Sequence, residues 1–355
     1  MSNKISQFVR EEVLALNAYH VPESNNLIKL DNMENPYGWE APIIDEWLQK
    51  VREVQLNRYP DPEARALQSR LREVMQIPAD AGLILGNGSD ELIQMICMTL
   101  AKPGSSVLSV SPSFVMYKML ATFTGMDFHS VELNDDFSLP LDSMLKKIDE
   151  VQPSVVYIAY PNNPTGNLFN EADLCQVIEA SPGLVVIDEA YYAFAGDSFA
   201  KHLNRYHNMM VMRTVSKMGL AGLRLGYMMG NPEWINEFNK VRMPFNINTL
   251  TQVSAEFALQ HVAILDAQTG QICKDREVLF DQMSEIEGVE CYPSKANFIL
   301  FKVANAKNIY NSLRDKGVLI RDLSSNGGSL SDCLRVTVGA QYENEAFVKA
   351  LQESL

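Results

Sequence analysis

The chain has 355 residues, 46% of them hydrophobic, and a formal net charge of −14 at pH 7. This length favours two domains, and the acidic balance argues against binding to a nucleic-acid backbone, which needs basic surfaces. The five cysteines are widely spaced and form no CxxC pair, so they predict reduced thiols and no metal site. The polar first residues and the lack of a long apolar run predict a cytoplasmic protein without a membrane segment.

Residues 1–30 form a predicted N-terminal arm. Ile5 and Phe8 stand at helical spacing, which predicts a short amphipathic helix over 5–16, and the loop after it contains Tyr19. An apolar helix face this far from the other motifs needs a surface to cover it. We therefore expect the arm to pack against a small domain or a partner subunit.

The stretch 83–91 is a short apolar run that ends in glycines and is followed by a helical pattern. The helix begins just after Ser89, and backbone N–H groups at a helix start carry partial positive charge that attracts phosphate. Ser89 and Asp90 also fit an ordinary helix cap, and neither the dinucleotide nor the Walker pattern is present. Both interpretations, a phosphate site and a plain cap, stay open for this stretch taken alone.

Three apolar runs, at 107–110, 155–159 and 184–187, alternate with helical patterns and predict strands. Residues suited to a binding site follow the ends of these runs: Phe114, Asn163, Asp188 and Tyr191. This alternation predicts an α/β fold with its site at the carboxyl edge of a sheet. We assign residues 31–250 to a large domain of this kind.

The stretch 213–227 reads R-T-V-S-K-M-G-L-A-G-L-R-L-G-Y and follows a strand-like run at 209–212. Lys217 comes directly after Ser216, and Arg224 lies seven residues beyond the lysine. A lysine amine can hold an aldehyde cofactor covalently, and a nearby hydroxyl and guanidinium suit the phosphate of that cofactor. The alternative is a surface lysine in a loop rich in serine and glycine.

The character of the chain changes after a long helical region from about 250 to 286. Short strand patterns and one helical pattern follow it: strands at 289–293, 297–303 and 334–338, and a helix at 308–316. They predict a smaller α+β domain over 251–355. This domain carries Arg321 and Arg335, and Arg335 stands within a strand pattern, where an arginine is more often exposed than functional.

These segments, in this order, resemble the fold-type-I pyridoxal-phosphate-dependent aminotransferases of class I and II, from about residue 5 to the C-terminus. Seven segments carry the resemblance: 13–19, 58–61, 86–91, 162–166, 188–191, 216–224 and 333–339. It implies a large domain with a mostly parallel sheet between helices, a smaller α+β domain, pyridoxal 5'-phosphate as cofactor, and a homodimer. Within the family, the chain looks most like the branch that moves an amino group between L-histidinol phosphate and 2-oxoglutarate in histidine biosynthesis.

The resemblance also implies roles for single residues. Lys217 matches the lysine that holds the cofactor and moves protons, Asp188 matches the partner of the ring nitrogen, and Tyr191 binds the phenolic oxygen. We therefore take Lys217, Asp188 and Tyr191 as candidate catalytic residues. The other residues that match cofactor contacts are Asn163 at the phenolic oxygen, Phe114 on the ring face, and Ser89, Asp90, Ser216 and Arg224 at the phosphate.

Further matches concern the substrate and the partner subunit. Tyr59 matches a tyrosine that reaches the cofactor phosphate of the neighbouring subunit. Four residues match the family's substrate-binding positions: Tyr19, Asn163, Arg321 and Arg335. The chain departs from the family at two points: the phosphate arginine commonly lies eight residues after the lysine, and a tyrosine commonly stands at the position of Phe114.

Three other functions stay open on the sequence. The chain could be an aromatic or broad-range amino-acid aminotransferase, or a related pyridoxal-phosphate decarboxylase acting on a phosphorylated amino acid. A regulatory protein that has kept the cofactor pocket is the third. Lys217 and Asp188 are both present and no DNA-binding segment is visible, which favours an enzyme.

Overall fold

The computed structural model describes residues 4–18 and 25–355. Its helices are α1 (Glu11–Leu14), α2 (Ala41–Arg52), α3 (Arg65–Val74), α4 (Ser89–Leu100), α5 (Met116–Thr124), α6 (Leu141–Val151), α7 (Glu171–Ala180), α8 (Tyr192–Ala195), α9 (Pro232–Asn239), α10 (Thr249–Gln260), α11 (Val262–Ser284), α12 (Ala306–Asp315) and α13 (Gln341–Gln352). Its strands are β1 (Ile28–Lys29), β2 (Gly82–Gly86), β3 (Ser106–Ser111), β4 (Asp127–Glu132), β5 (Val155–Ala159), β6 (Leu184–Asp188), β7 (Met209–Thr214), β8 (Gly226–Gly230), β9 (Val289–Cys291), β10 (Phe298–Val303), β11 (Val318–Leu319), β12 (Arg321–Asp322) and β13 (Cys333–Thr337). In this part of the chain, no helix combines the length and the apolar character needed to cross a bilayer.

The larger sheet consists, within the described residues, of seven strands in the order β2-β8-β7-β6-β5-β3-β4. Strand β8 runs antiparallel to both neighbours and the other pairs are parallel, so the prediction of a mostly parallel sheet is confirmed. Successive residues of β5 face opposite sides: Val156 and Ile158 join one core cluster, and Val155 and Tyr157 join another. Both faces are therefore covered, which explains the continuous apolar run in this strand.

A second, antiparallel sheet lies in the C-terminal part of the chain, with the strand order β12-β13-β10-β9. Its core also receives side chains from α11, α12 and α13, and includes Leu279, Phe298, Phe301, Leu313 and Phe347. Strand β1 pairs in parallel with β11, where Ile28 lies opposite Val318. The N-terminal segment is thereby tied to the C-terminal part, while the division into domains at residue 250 stays a prediction.

The N-terminal arm differs from the predicted amphipathic helix. Residues Lys4–Gln7 form a 3-10 turn, and α1 covers a single turn, Glu11–Leu14. One turn has few hydrogen bonds to offset the entropy of helix nucleation, and no side chain caps its start. Phe8 is 87% exposed, so the apolar face lies uncovered in the described part of the chain. The Arg10 guanidinium donates to the carbonyl of Phe123 in α5 at 2.5 Å, which attaches the arm to the larger sheet unit.

The long helical region predicted for 250–286 is correct in type but consists of two helices, α10 and α11. His261 lies between them with φ −105° and ψ 29°, away from helical values. Its ring contacts Phe257, with 4.6 Å between ring centroids. The break allows α10 to pack against α2 and α3, while α11 continues into the core of the smaller sheet.

A buried ion pair joins the end of β6 to the end of β7. Arg213 Nε donates to Glu189 Oε2 at 2.9 Å, and the two residues are 5% and 0% exposed. Arg213 Nη2 donates to Ser198 Oγ at 2.7 Å, and the Phe199 N–H donates to Glu189 Oε1 at 2.6 Å. Since Glu189 directly follows Asp188, this network holds the sheet edge at which the predicted site residues stand.

The variant Glu189→Gln should lower the free energy of unfolding by about 3–5 kcal/mol, because it leaves the Arg213 charge buried without a carboxylate. Glu179→Gln is the matched control, since Glu179 pairs with Arg205 at 2.9 Å where both side chains are more than half exposed. A loss below about 1 kcal/mol is expected for that exposed pair. Urea unfolding followed by circular dichroism measures both variants, and equal shifts would contradict a structural role for the buried pair.

Candidate active site

A cavity at the carboxyl edge of the larger sheet gathers side chains from distant parts of the sequence. The ends of β5, β6 and β7 and the start of α4 meet there. Nine of the residues singled out from the sequence line it: Ser89, Asp90, Phe114, Asn163, Asp188, Tyr191, Ser216, Lys217 and Arg224. They converge because the carboxyl ends of parallel strands share one edge of a sheet.

Lys217 stands in a compact turn, Ser216–Leu220, close after β7. Its Nζ donates to the carbonyl of Asn32 at 2.9 Å, which holds the amine against the cavity wall. Gly219 has a φ of 122°, a backbone conformation that residues with a side chain disfavour. This glycine therefore permits the tight turn that follows Lys217.

The Lys217 amine loses its proton more readily than an ordinary lysine. Removal from water, followed by the positive charge of Arg335, lowers its pKa from 10.5 to about 8. Arg224 acts in the same direction, while Glu34 and Asp90 oppose the shift. A useful fraction of the amine is therefore neutral and nucleophilic near neutral pH.

Asp188 ends β6 and is 3% exposed. The Tyr117 hydroxyl donates to its Oδ2 at 2.7 Å, and the Ala190 N–H donates to its Oδ1 at 3.1 Å. Burial raises the pKa of Asp188 to about 6, and the hydrogen bond from Tyr117 opposes that rise. At neutral pH Asp188 is therefore mostly ionised, and it presents a buried negative charge that suits a cationic ring nitrogen.

Sequence reasoning missed Tyr117. This residue is fully buried and stacks on Tyr157, with ring centroids 4.7 Å apart and planes at 8°. Its partner Asp188 lies 71 residues further along the chain, and no spacing rule connects the two. The sequence offered one indication that Tyr117 lies near the site: it stands in the helix after β3, and β3 is a neighbour of β5 in the parallel part of the sheet.

Arg335 is 6% exposed, so the expectation drawn from its strand pattern alone, that it would be exposed, is wrong. Its Nη1 donates to Asn163 Oδ1, and its Nη2 donates to the carbonyl of Asp31 at 3.1 Å. Asn163 Nδ2 in turn donates to the Tyr191 hydroxyl oxygen at 3.1 Å. Because Asn163 is the donor there, Tyr191 keeps its own proton for another acceptor. The chain of contacts fixes the orientation of the Asn163 amide.

The start of α4 forms a cradle for an anion. Its N-cap residue, Gly88, provides no side-chain cap for the first backbone N–H groups. A Cβ on Gly88 would lie 2.7 Å from Arg224 Nη2, and a Cβ on Gly226 would lie 2.6 Å from the Ser89 nitrogen. Glycine at both positions lets the guanidinium and strand β8 approach the helix start. These N–H groups, the guanidinium and the nearby Ser216 hydroxyl are the donors that a phosphate dianion requires.

The remaining predicted residues lie elsewhere. Arg321 and Arg335 line an adjoining cavity, which shares Phe114 with the first one. Tyr59 is 82% exposed and stacks on Phe245, with ring centroids 4.5 Å apart. Tyr19 lies outside the described residues.

Known proteins resemble this chain over its whole length. A family profile described as "Aminotransferase class I and II" matches residues 25–352. "Histidinol-phosphate aminotransferase 2" of Nitrosococcus oceani is 53% identical over 352 residues, covering 99% of this chain and 98% of that protein. The protein of the same name from Cupriavidus pinatubonensis is 47% identical, with 99% and 97% covered. The crystal structure of histidinol-phosphate aminotransferase from Sinorhizobium meliloti in complex with pyridoxal-5'-phosphate has a TM-score of 0.86 at 24% identity, covering 98% of this chain and 97% of that one.

The lowered pKa of Lys217 predicts how the cofactor-free protein captures an aldehyde. The rate of covalent capture of pyridoxal phosphate should rise with pH and level off above a midpoint near 8, because only the neutral amine attacks and its pKa is about 8. Borohydride reduction followed by mass spectrometry of the Lys217 peptide measures the captured fraction. Arg335→Gln should move the midpoint upwards, since it removes a positive charge that lowers this pKa. A midpoint near 10.5 in the native protein would contradict the prediction.

Proposed function

The chain belongs to the class I and II aminotransferases, and from that premise we propose that it transfers the amino group between L-histidinol phosphate and 2-oxoglutarate. The products are imidazole acetol phosphate and glutamate, and the reaction serves histidine biosynthesis. The observation that carries the proposal is the high full-length identity to relatives named for this activity. Arg321 and Arg335 in the adjoining cavity support it, because guanidinium groups bind phosphate and carboxylate oxygens alike.

Pyridoxal 5'-phosphate is the cofactor, and the donors around the first cavity fit it. When bound, it supplies an electron sink that stabilises negative charge at the α carbon of the substrate. The buried carboxylate of Asp188 would pair with its ring nitrogen, and Lys217 would hold its aldehyde carbon. The other contacts that we propose are Ser89, Asp90, Ser216 and Arg224 at the phosphate, Asn163 and Tyr191 at the phenolic oxygen, and Phe114 on the ring face.

The chain's own groups divide the proton chemistry between them. The Lys217 Nζ, with a pKa of about 8, can take a proton from the α carbon and return one near neutral pH. Asp188, ionised above about pH 6, would favour a proton on the ring nitrogen of the bound cofactor. Tyr117 donates to Asp188 and thereby stabilises its ionised form and its position. Tyr191, whose hydroxyl oxygen accepts from Asn163, would donate its proton to the phenolic oxygen of the bound cofactor.

Substrate recognition is proposed for the adjoining cavity. Arg335 is held by Asn163 and Asp31, so its guanidinium is already oriented before substrate arrives. Arg321 lies opposite Arg335 on the neighbouring strand, which places a second guanidinium beside the first. Tyr19, outside the described residues, would complete the set by resemblance.

A homodimer would explain the exposed patch around Tyr59. Leu56, Tyr59 and Met243 are 76%, 82% and 68% exposed, and the Phe245 ring stacks on the Tyr59 ring. Apolar side chains at this density mark an interaction surface. We place Tyr59 across the subunit interface, near the cofactor phosphate of the partner subunit. A cytoplasmic location is proposed from the five free cysteines, and cell fractionation tests it.

The holoenzyme, supplied with histidinol phosphate and 2-oxoglutarate, should form glutamate, which glutamate dehydrogenase coupling measures. Arg321→Ala should weaken the binding of histidinol phosphate by about 2–4 kcal/mol, because it removes a charge-assisted partner of the phosphate. Unphosphorylated histidinol is the matched substrate, and its turnover should change little in that variant. Lys217→Ala should abolish glutamate formation altogether.

Each alternative function has its own outcome in the same assay. Faster turnover of phenylalanine or tyrosine than of histidinol phosphate would favour an aromatic aminotransferase. Carbon dioxide release from a phosphorylated amino acid would identify a decarboxylase. If the cofactor-loaded protein turns over no amine, the regulatory function would be favoured.

If the protein is a homodimer, its mass in solution should be twice that of one chain. Sedimentation velocity should give twice the chain mass of 39.8 kDa. Met243→Asp should shift the protein towards monomer and weaken cofactor retention, because a charge would lie in the interface and withdraw the partner's Tyr59. Tyr342→Asp, at a residue 67% exposed elsewhere on the surface, is the control and should leave the mass unchanged. A native protein that sediments as an active monomer would refute the dimer.

A further inference from the structure

The adjoining cavity has a charge that the whole chain does not share. Three cationic side chains line it, Lys118, Arg321 and Arg335, and among the described residues no carboxylate does. The chain as a whole carries a net charge of −14. An anion that approaches this cavity therefore leaves a repulsive surface and enters an attractive field, which low-dielectric walls concentrate.

Lys118 is the member of this set that resemblance did not single out. It lies in α5 directly after Tyr117, whose hydrogen bond of 2.7 Å to Asp188 anchors the helix beside the catalytic cavity. In the part of the chain that the structure describes, Lys118 and Arg321 have no carboxylate partner. Within those residues, no ion pair neutralises either charge.

The wall around Lys118 is also suited to an anion. Ser111 at the end of β3 and Ser130 in β4 contribute hydroxyl groups to the same cavity. Phe128, on the same face of β4 as Ser130, adds an apolar surface. Glu132 continues that face of the strand, but it lies beyond the cavity lining.

We propose that Lys118 is a specificity residue of the amino-transfer reaction, which captures the phosphate end of the substrate at the cavity mouth and passes it to Arg321 and Arg335. The proposal rests on the function proposed above and adds a recognition residue to it. Lys118 is exposed whereas Arg335 is buried, so the two act at different stages. An exposed rim charge changes the rate of encounter and its salt dependence, while a buried guanidinium determines how firmly the anion is held.

This division predicts which kinetic constant changes. Removal of Lys118 should lower kcat/KM for histidinol phosphate and leave kcat unchanged, because the bound complex reacts through other groups. The effect should be larger for the phosphate dianion than for the single distal carboxylate of glutamate, since the local attraction of the Lys118 ammonium grows with the charge of the group beside it. High salt should remove the effect, because it screens exposed charges.

The experiment compares Lys118→Gln with Lys146→Gln in the holoenzyme, at about 0.02 M and about 0.5 M salt. Lys146 is a matched control because its side chain is 78% exposed on α6 and its loss changes the net charge equally. Lys118→Gln should lower kcat/KM for histidinol phosphate about three- to tenfold at low salt, and Lys118→Arg should restore it. Inorganic phosphate, as a competitive inhibitor, should bind more weakly by a similar factor.

Two results would overturn the proposal. One is an equal change in the Lys118 and Lys146 variants, and the other is a loss of kcat that salt does not remove. If the native enzyme does not use histidinol phosphate, the proposed substrate is wrong. Inhibition of the glutamate half-reaction by inorganic phosphate then decides separately whether Lys118 binds an anion.

Discussion

The buried guanidinium of Arg335 is the constraint on which the arrangement of the site depends. It stands on the smaller sheet, yet it bonds Asn163 beyond the end of β5 and the backbone of Asp31 near the N-terminus. These hydrogen bonds hold three separate parts of the chain in fixed positions relative to one another. The same charge adds to the effect of burial in lowering the pKa of Lys217, so one residue influences both the geometry of the cavity and the protonation of its amine. A buried arginine is tolerated here because it has fixed acceptors and an aromatic face, that of Phe298, 5.1 Å away.

Electrostatics in this protein is a matter of position rather than of total charge. Asp188 and Lys217 line one cavity, and removal from water shifts the pKa of each towards neutrality, upwards for the acid and downwards for the amine. The Lys217 amine can therefore change its protonation state near neutral pH, while Asp188 stays mostly ionised there. Nearby carboxylates work against part of these shifts, since Glu34 and Asp90 raise the pKa of Lys217.

The α/β architecture and most of the lining of the first cavity could be predicted from sequence, because apolar runs such as 155–159 end at polar residues and parallel strands bring those ends together. Asn163 and Lys217 are of this kind. Tyr117 and the burial of Arg335 could not be predicted, because each depends on a partner that only the tertiary structure supplies. The N-terminal helix was overestimated for a related reason: helical spacing at Ile5 and Phe8 says nothing about whether a surface is present to cover it.

The pairing of β1 with β11 has a consequence for the order in which parts of the protein can fold during synthesis. Ile28 is synthesised long before its partner Val318. Until Val318 has been synthesised, β1 therefore lacks its native neighbour, while the larger sheet, whose strands all lie between β1 and β11 in sequence, can already assemble. Formation of this long-range contact joins the segment before α2 to the segment after α12. We therefore expect this contact to form late in folding.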